Sequence, residues 1–340
     1  MDKENMEKQS FLRRKGVEIS LRRYGIDALG AMALGLFSSL IVGLILRVAG
    51  EQLGIGFLEE IGALASSMMG PAIGVAVAFG LKAPPFVLFA STITGAAGAQ
   101  LGGPAGAFVA ALIGAEIGKL ISKETKVDLI VTPATTIITG VAVAQVIGPR
   151  IYNFMIEFGN LIMIATEMHP IPMGIIVASL MGLALTAPIS SAAIAIMMEL
   201  GGLAAGAATV GCAAQMVGFA VISYRDNKMA GLMAQGLGTS MLQIPNIVKN
   251  PMIIVPPTVA GAILGPFVTT IFPMYNNPAG AGMGTAGLVG QIGTMDVMGM
   301  GSLPLIIAFH FILPAAIALA VAIVMRKAGL IKAGDMKLDL

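Results

Sequence analysis

"LGTSMLQIPNIVKNPMIIVPP", Leu237 to Pro257, decides the fold, because it sets polar groups and prolines inside a run apolar enough to enter a bilayer. Pro245, Pro251, Pro256 and Pro257 each lack an amide hydrogen and each restrict the residue before them. Asn246, Lys249 and Asn250 add side chains that hydrocarbon does not solvate. Irregular backbone of this kind survives at membrane depth only when it is buried in protein or lines a wet cavity. The stretch therefore predicts a broken or re-entrant element, and its amides read as part of a site for a polar solute. Ser240, at its start, is a candidate contact in the same site.

The rest of the chain agrees that water is not the main solvent. Hydrophobic residues make up 56% and charged residues 11%, against about 25% charged in soluble domains. Long unbroken apolar runs exclude a β-barrel, which needs short alternating strands. The fold class expected is an all-α polytopic membrane protein of eight to ten transmembrane helices, some broken or re-entrant. Forty-four glycines and eighteen prolines suit close helix packing and helix breaks rather than simple rods. The 24 methionines and the single Cys212 read as gap-filling and packing residues. No Cys/His cluster suggests a metal, and no cofactor is expected. "AGAGMGTAGLVG" satisfies GxGxxG at Gly282, Gly284 and Gly287. It lacks the Gly-Lys-Ser/Thr ending and a preceding strand, so nucleotide binding is not expected. Nothing points to nucleic acid.

Charge placement orients the chain. Residues 1–25 carry seven basic residues, and Val17, Leu21 and Tyr24 fall on one helical face. This predicts a cytoplasmic amphipathic basic segment touching membrane lipid, and not a cleaved signal peptide. Basic clusters at 119–126, 225–228 and 326–327 place these loops and both termini in the cytoplasm, implying an even number of crossings. Residues 26–330 form the transmembrane domain and 331–340 a cytoplasmic tail. Within it, 83–120 reads as two helices meeting at Gly102-Gly103-Pro104. A span at 129–148 ends at Pro149-Arg150, an amphipathic 151–168 follows, and Pro172 and Pro188 break 171–200.

Ionisable and amide groups at depth are functional hypotheses by default. Glu167 and His169 precede a helix break at Pro170 and Pro172, which can make them converge to bind sugar hydroxyls or move a proton. Asn246 and Asn250, four apart, share a helical face, and amides suit hydroxyl-rich solutes. Asn277 and Asp296 are candidate solute contacts in the glycine-dense stretch after 272. Glu116 and Lys119, at i, i+3, read as a structural pair, and His310 as a packing residue.

Three stretches carry a family resemblance: "LRRYGIDALGAMALGLFSSLIVGLI" at 21–45, "HPIPMGIIVASLMGLALTAPISSAAIAI" at 169–196, and "LQIPNIVKNPMIIVPP" at 242–257. Over nearly its whole length the chain resembles the membrane subunit (IIC) of the bacterial phosphotransferase system. The likeness is to the divergent second IIC family that includes the PfoR-type toxin regulators. The third stretch is similar to the Leu-Pro-Ile-Val-x-Asn-Pro stretch of sugar IIC proteins, with one residue extra. The resemblance implies a homodimer in the bacterial plasma membrane, with a scaffold part and a moving substrate-binding part. It implies a carbohydrate as the solute, with His169 as a sugar contact and a glutamate near Gly238–Met241. There the sequence has "GTSM" and no acid, which departs from the family's pattern. The chain shows no IIB-like cysteine or IIA-like histidine domain, so a phosphoryl donor would be a separate IIB/IIA protein. Two other readings stay open: a membrane sensor with this fold but no phosphotransfer, its basic N-terminus the output surface, and a binder of an apolar or lipid-like solute.

Overall fold

The computed structural model describes residues 11–338. Residues 1–10, part of the expected N-terminal segment, and 339–340 lie outside the described residues. Among those described, the chain is helical with no strand, as an apolar chain that must satisfy its own backbone requires. Six helices are long and apolar enough to cross a membrane: Arg23–Glu51 (α1), Pro85–Ile121, Asp128–Thr166, Gly202–Ile222, Pro251–Thr270 and Met300–Lys327. Gly56–Ser67 (α2) and Met69–Gly80 (α3) meet at 51° and form a seventh as one broken span. The apolar helix Pro170–Thr186 is shorter. By length and composition the described residues thus give six spans, or seven with the bent pair, against the eight to ten expected.

The chain divides into two compact units. The first comprises Met1–Gly43 and Ala63–Asn153. Its core is α3 against Pro85–Ile121 (α4), which meet through glycines. A methyl added at Gly74 would lie 2.0 Å from the Ser91 carbonyl oxygen, and one at Gly95 would lie 2.3 Å from that of Gly70. Between lipid-soluble helices there is little hydrophobic drive, so van der Waals contact at such close approach does the holding. α4 bends where Gly102-Gly103-Pro104 predicts. Gly103 takes φ +60, and Gly98 and Gly106 come into backbone contact across the bend.

At one end of this unit a buried lysine gathers the chain. Lys119 Nζ donates to the carbonyls of Gly16 (2.6 Å) and Leu81 (3.1 Å) and pairs with Glu116 at 3.2 Å. The Arg23 guanidinium also donates to Leu81, while Lys15 donates to the Ser122 carbonyl and pairs with Glu124. This docking overrides the N-terminal helix expected from the apolar spacing. Gly16 turns at φ +65, residues 17–20 are not helical, and Val17 is buried while Leu21 is exposed. They share no face.

Asp128–Thr166 (α5) runs unbroken through Pro149, where the sequence predicted a helix end. Proline is tolerated inside transmembrane helices when packing compensates its missing bond. Gly148, beside it, packs tightly on Leu101.

The second unit comprises Leu44–Gly62 and Phe154–Leu340. Its elements are Pro170–Thr186 (α6), Ser191–Met197 (α7), Gly202–Ile222 (α8), Val255–Thr270 (α9), Val289–Met298 (α10) and Leu313–Lys327 (α11). α8 is the axis, and nearly all of its residues are buried. Its glycines let α6 and the segment after α9 reach its backbone: Gly211 faces the Ala178 carbonyl and Gly206 that of Met274. Gly174 of α6 and Gly265 of α9 stack in the same way. Met173, Met181, Met216 and Met274 fill the remaining gaps with Cys212, all buried. These four methionines and the cysteine are packing residues, while others, such as Met229 and Met300, are exposed.

Candidate functional site

Three breaks in helical structure converge beside α8. In the first, α6 ends at Thr186, Ala187 is extended, and Ser190 caps α7 by accepting from the Ala193 amide at 3.2 Å. Losing that cap should cost about 1 kcal/mol. A Ser190→Ala variant is therefore expected to melt slightly earlier in detergent and to loosen α7 in hydrogen exchange.

In the second break, a π-helical turn Ala234–Gly238 gives way to extended Thr239 and a 3-10 turn, Ser240–Gln243. In the third, Gly284, Gly287 and Leu288 all take positive φ. Leu288 pays strain that the glycines avoid. The breaks are tied to one another. Ser191 Oγ donates to the Gly282 carbonyl at 2.7 Å, and Thr285 Oγ1 to that of Gly236 at 2.5 Å.

Inside this convergence lies a chain of neutral hydroxyls and an amide. Ser240 and Thr186 are 2.8 Å apart, Thr186 donates to Gln215 Oε1 at 3.3 Å, and Gln215 Nε2 donates to Thr258 Oγ1 at 2.7 Å. Thr258 donates onward to the Ile254 carbonyl. Thr186 Oγ1 also lies 3.3 Å from the Gly182 carbonyl, so its single proton has several acceptors and either hydroxyl can donate across the Ser240–Thr186 contact. Thr186, Gln215 and Ser240 are buried. Gln215 stands seven residues before the end of α8 at Ile222, so the cluster sits about 10 Å in from that end. No carboxylate bonds to it. Among the described residues there is no group of three metal-ligating side chains either.

The sequence-predicted residues fall in several places, and only Ser240 belongs to this cluster. Glu167 and His169 lie exposed in the turn between α5 and α6, with no side-chain hydrogen bond to the cluster. Asn277 caps the short helix Pro278–Ala281 through the Gly280 amide. Asp296 is exposed on α10. Asn246 and Asn250 do not face a shared path: both donate to the C-terminal segment, to the carbonyls of Lys337 (2.8 Å) and Leu330 (3.0 Å). The prolines around them start helices rather than break them. Pro245, Pro251, Pro256 and Pro257 all stand in first turns, where a missing amide hydrogen is harmless. Asn276, passed over in the sequence, is buried and ties Thr209 (2.7 Å) to the Gly290 carbonyl (2.9 Å). His310 is buried on a π-helical turn and bonds Gln291 at 3.0 Å.

Sequence reasoning missed Thr186, Gln215 and Thr258. One signal was available: Gln215 is the only amide side chain in the Gly/Ala-rich run of α8.

Compared with known families, residues 26–338 match the family model described as phosphotransferase system, EIIC. No curated protein and no solved structure matches the chain.

Proposed function

Because this chain belongs to the EIIC family of the phosphotransferase system, a family of membrane permease components, we propose that it binds and translocates a small polar solute, a carbohydrate. The carrying observation is the Ser240–Thr186–Gln215–Thr258 chain at the convergence of three helix breaks. Its groups are uncharged donors and acceptors, which match the hydroxyls of a neutral sugar and offer nothing to balance an ion. Backbone irregularity at such a point suits a binding site shared between moving elements. In this reading the protein works as a homodimer in the bacterial plasma membrane with cytoplasmic termini, and separate IIB/IIA proteins supply any phosphate.

A second reading, a sensor with this fold, is favoured by one observation. The segment Gly238–Met241, where sugar IIC proteins carry an acid, supplies Ser240 and no carboxylate to the cluster. Binding without uptake would mark it.

The test is thermal shift of the purified protein over a sugar panel, followed by uptake of the best sugar into proteoliposomes. At least one sugar should raise Tm, and Ser240→Ala should weaken its binding about two- to tenfold, as loss of one hydrogen bond does. A panel with no shift, or a shift unaltered in Ser240→Ala, overturns the site. His169→Ala in parallel reports whether the exposed histidine takes the sugar-contact role.

A further inference from the structure

Residues 329–338, beyond α11, do not trail into solvent. Gly329, at φ +73, ends α11 in the left-handed turn that glycine favours. The segment then lies across side chains from elsewhere in the second unit. Asn227 holds it at both faces of one peptide stretch, donating to the Met336 carbonyl and accepting from the Leu338 amide, each at 2.8 Å. Gln243 donates to the same Met336 carbonyl at 3.0 Å, and Asn246 to that of Lys337. Asn250 donates to the Leu330 carbonyl, and Asp226 accepts from the Gly334 amide at 3.2 Å. Nearly all of this recognition is of main chain. Two side chains add apolar anchors: Ile331 and Met336 are 2% and 0% exposed and join the cluster of Phe219, Ile222 and Ile253.

The groove is wired to the candidate site. Gln243 closes the 3-10 turn that Ser240 opens, and its amide also bonds Gln235 Oε1 at 2.8 Å. Gln235 in turn holds Ser223 and the π-helical turn before Thr239. The tail therefore grips the same short turn that presents Ser240 to Thr186. It is also reachable. A cavity of about 390 Å³ lined by Arg225, Arg326 and Lys332 borders its earlier residues, and one of about 260 Å³ lined by Asn246, Lys249 and Lys337 borders its later ones.

We infer that Asn227, Gln243, Asn246 and Asn250 form a peptide-binding groove, and that residues 329–338 occupy it in cis as a displaceable latch restraining the Ser240 turn. A groove that reads backbone plus two apolar anchors five residues apart accepts any extended segment so built. A partner's segment of that chemistry would release the latch by competition.

The test needs no solute, so its failure is distinct from failure of the permease reading. Ser240→Cys in a Cys212→Ala background gives a single thiol, labelled with N-ethylmaleimide in the purified full chain. Cutting the chain after Ala328, or replacing Met336 by aspartate at full length, should speed labelling about tenfold or more, the effect of losing about 1.4 kcal/mol of restraint. A synthetic peptide of residues 329–340 added to the truncated protein should restore the slow rate. Equal rates in all forms overturn the latch. So does a truncated chain that fails to fold while Met336→Asp labels at the parent rate, since the tail is then a fixed staple.

Discussion

Replacing Gly211 by leucine should abolish folded protein altogether, with no monodisperse peak in detergent. The reason is geometric. Even the methyl of an alanine at this position would lie 1.9 Å from the Ala178 carbonyl oxygen and 2.5 Å from its carbon. Those atoms are backbone of α6, so no rotamer change relieves the clash, and α6 and α8 must separate by an ångström or more. Dispersion energy falls steeply over such a gap, and dispersion is most of what joins helices in lipid. Overpacking with flexible neighbours costs about 1–3 kcal/mol, and here the neighbours are rigid. Gly211→Ala should therefore already lower Tm sharply. Gly56→Ala is the control, because an added methyl there meets nothing within 4 Å, and its Tm should hold or rise. A Gly211→Leu protein that runs and melts like the parent would show that α6 and α8 are not in backbone contact.

Local chemistry explains what could be read from the sequence. Gly102-Gly103-Pro104 announces its bend because glycine supplies the positive φ and proline lacks the hydrogen. Glu116 and Lys119 pair as their spacing requires. The membrane class follows from composition alone. What stayed hidden is long-range. The polarity of Asn246 and Asn250 was plain, but their partners lie some 80 to 90 residues onward in the tail, and no local pattern points there. Thr186, Thr258 and Ser240 carry small hydroxyls that a helix can satisfy by itself, so in apolar spans they look inert until the fold brings them to Gln215. The N-terminal face failed for a similar reason. Its 3–4 spacing was real, but Lys119 captures the Gly16 carbonyl from 103 residues away.

That capture makes Lys119→Met the second large effect, expected at about 3–5 kcal/mol of lost stability, the cost of removing one partner from a buried ion pair. The lysine side chain is 2% exposed and its Glu116 partner 10%, so water cannot take over either role. Three groups lose a donor at once: the Glu116 carboxylate and the carbonyls of Gly16 and Leu81. Arg23 still reaches Leu81, so that loop should hold better than the N-terminal segment. Limited trypsin digestion at Arg13 and Arg14 should then become much faster, while the rest of the first unit melts earlier in a Tm scan. A cycle separates charge from packing. Pairing Lys119→Met with Glu116→Leu removes the stranded carboxylate, and exchanging a buried ion pair for apolar groups is often near neutral. The double variant should regain most of the Tm yet keep the fast cleavage, because the Gly16 carbonyl still has no donor. If instead the double variant restores slow cleavage too, the N-terminal segment is held by something other than Lys119. A sensor that signals through its basic N-terminus would then need a different hinge.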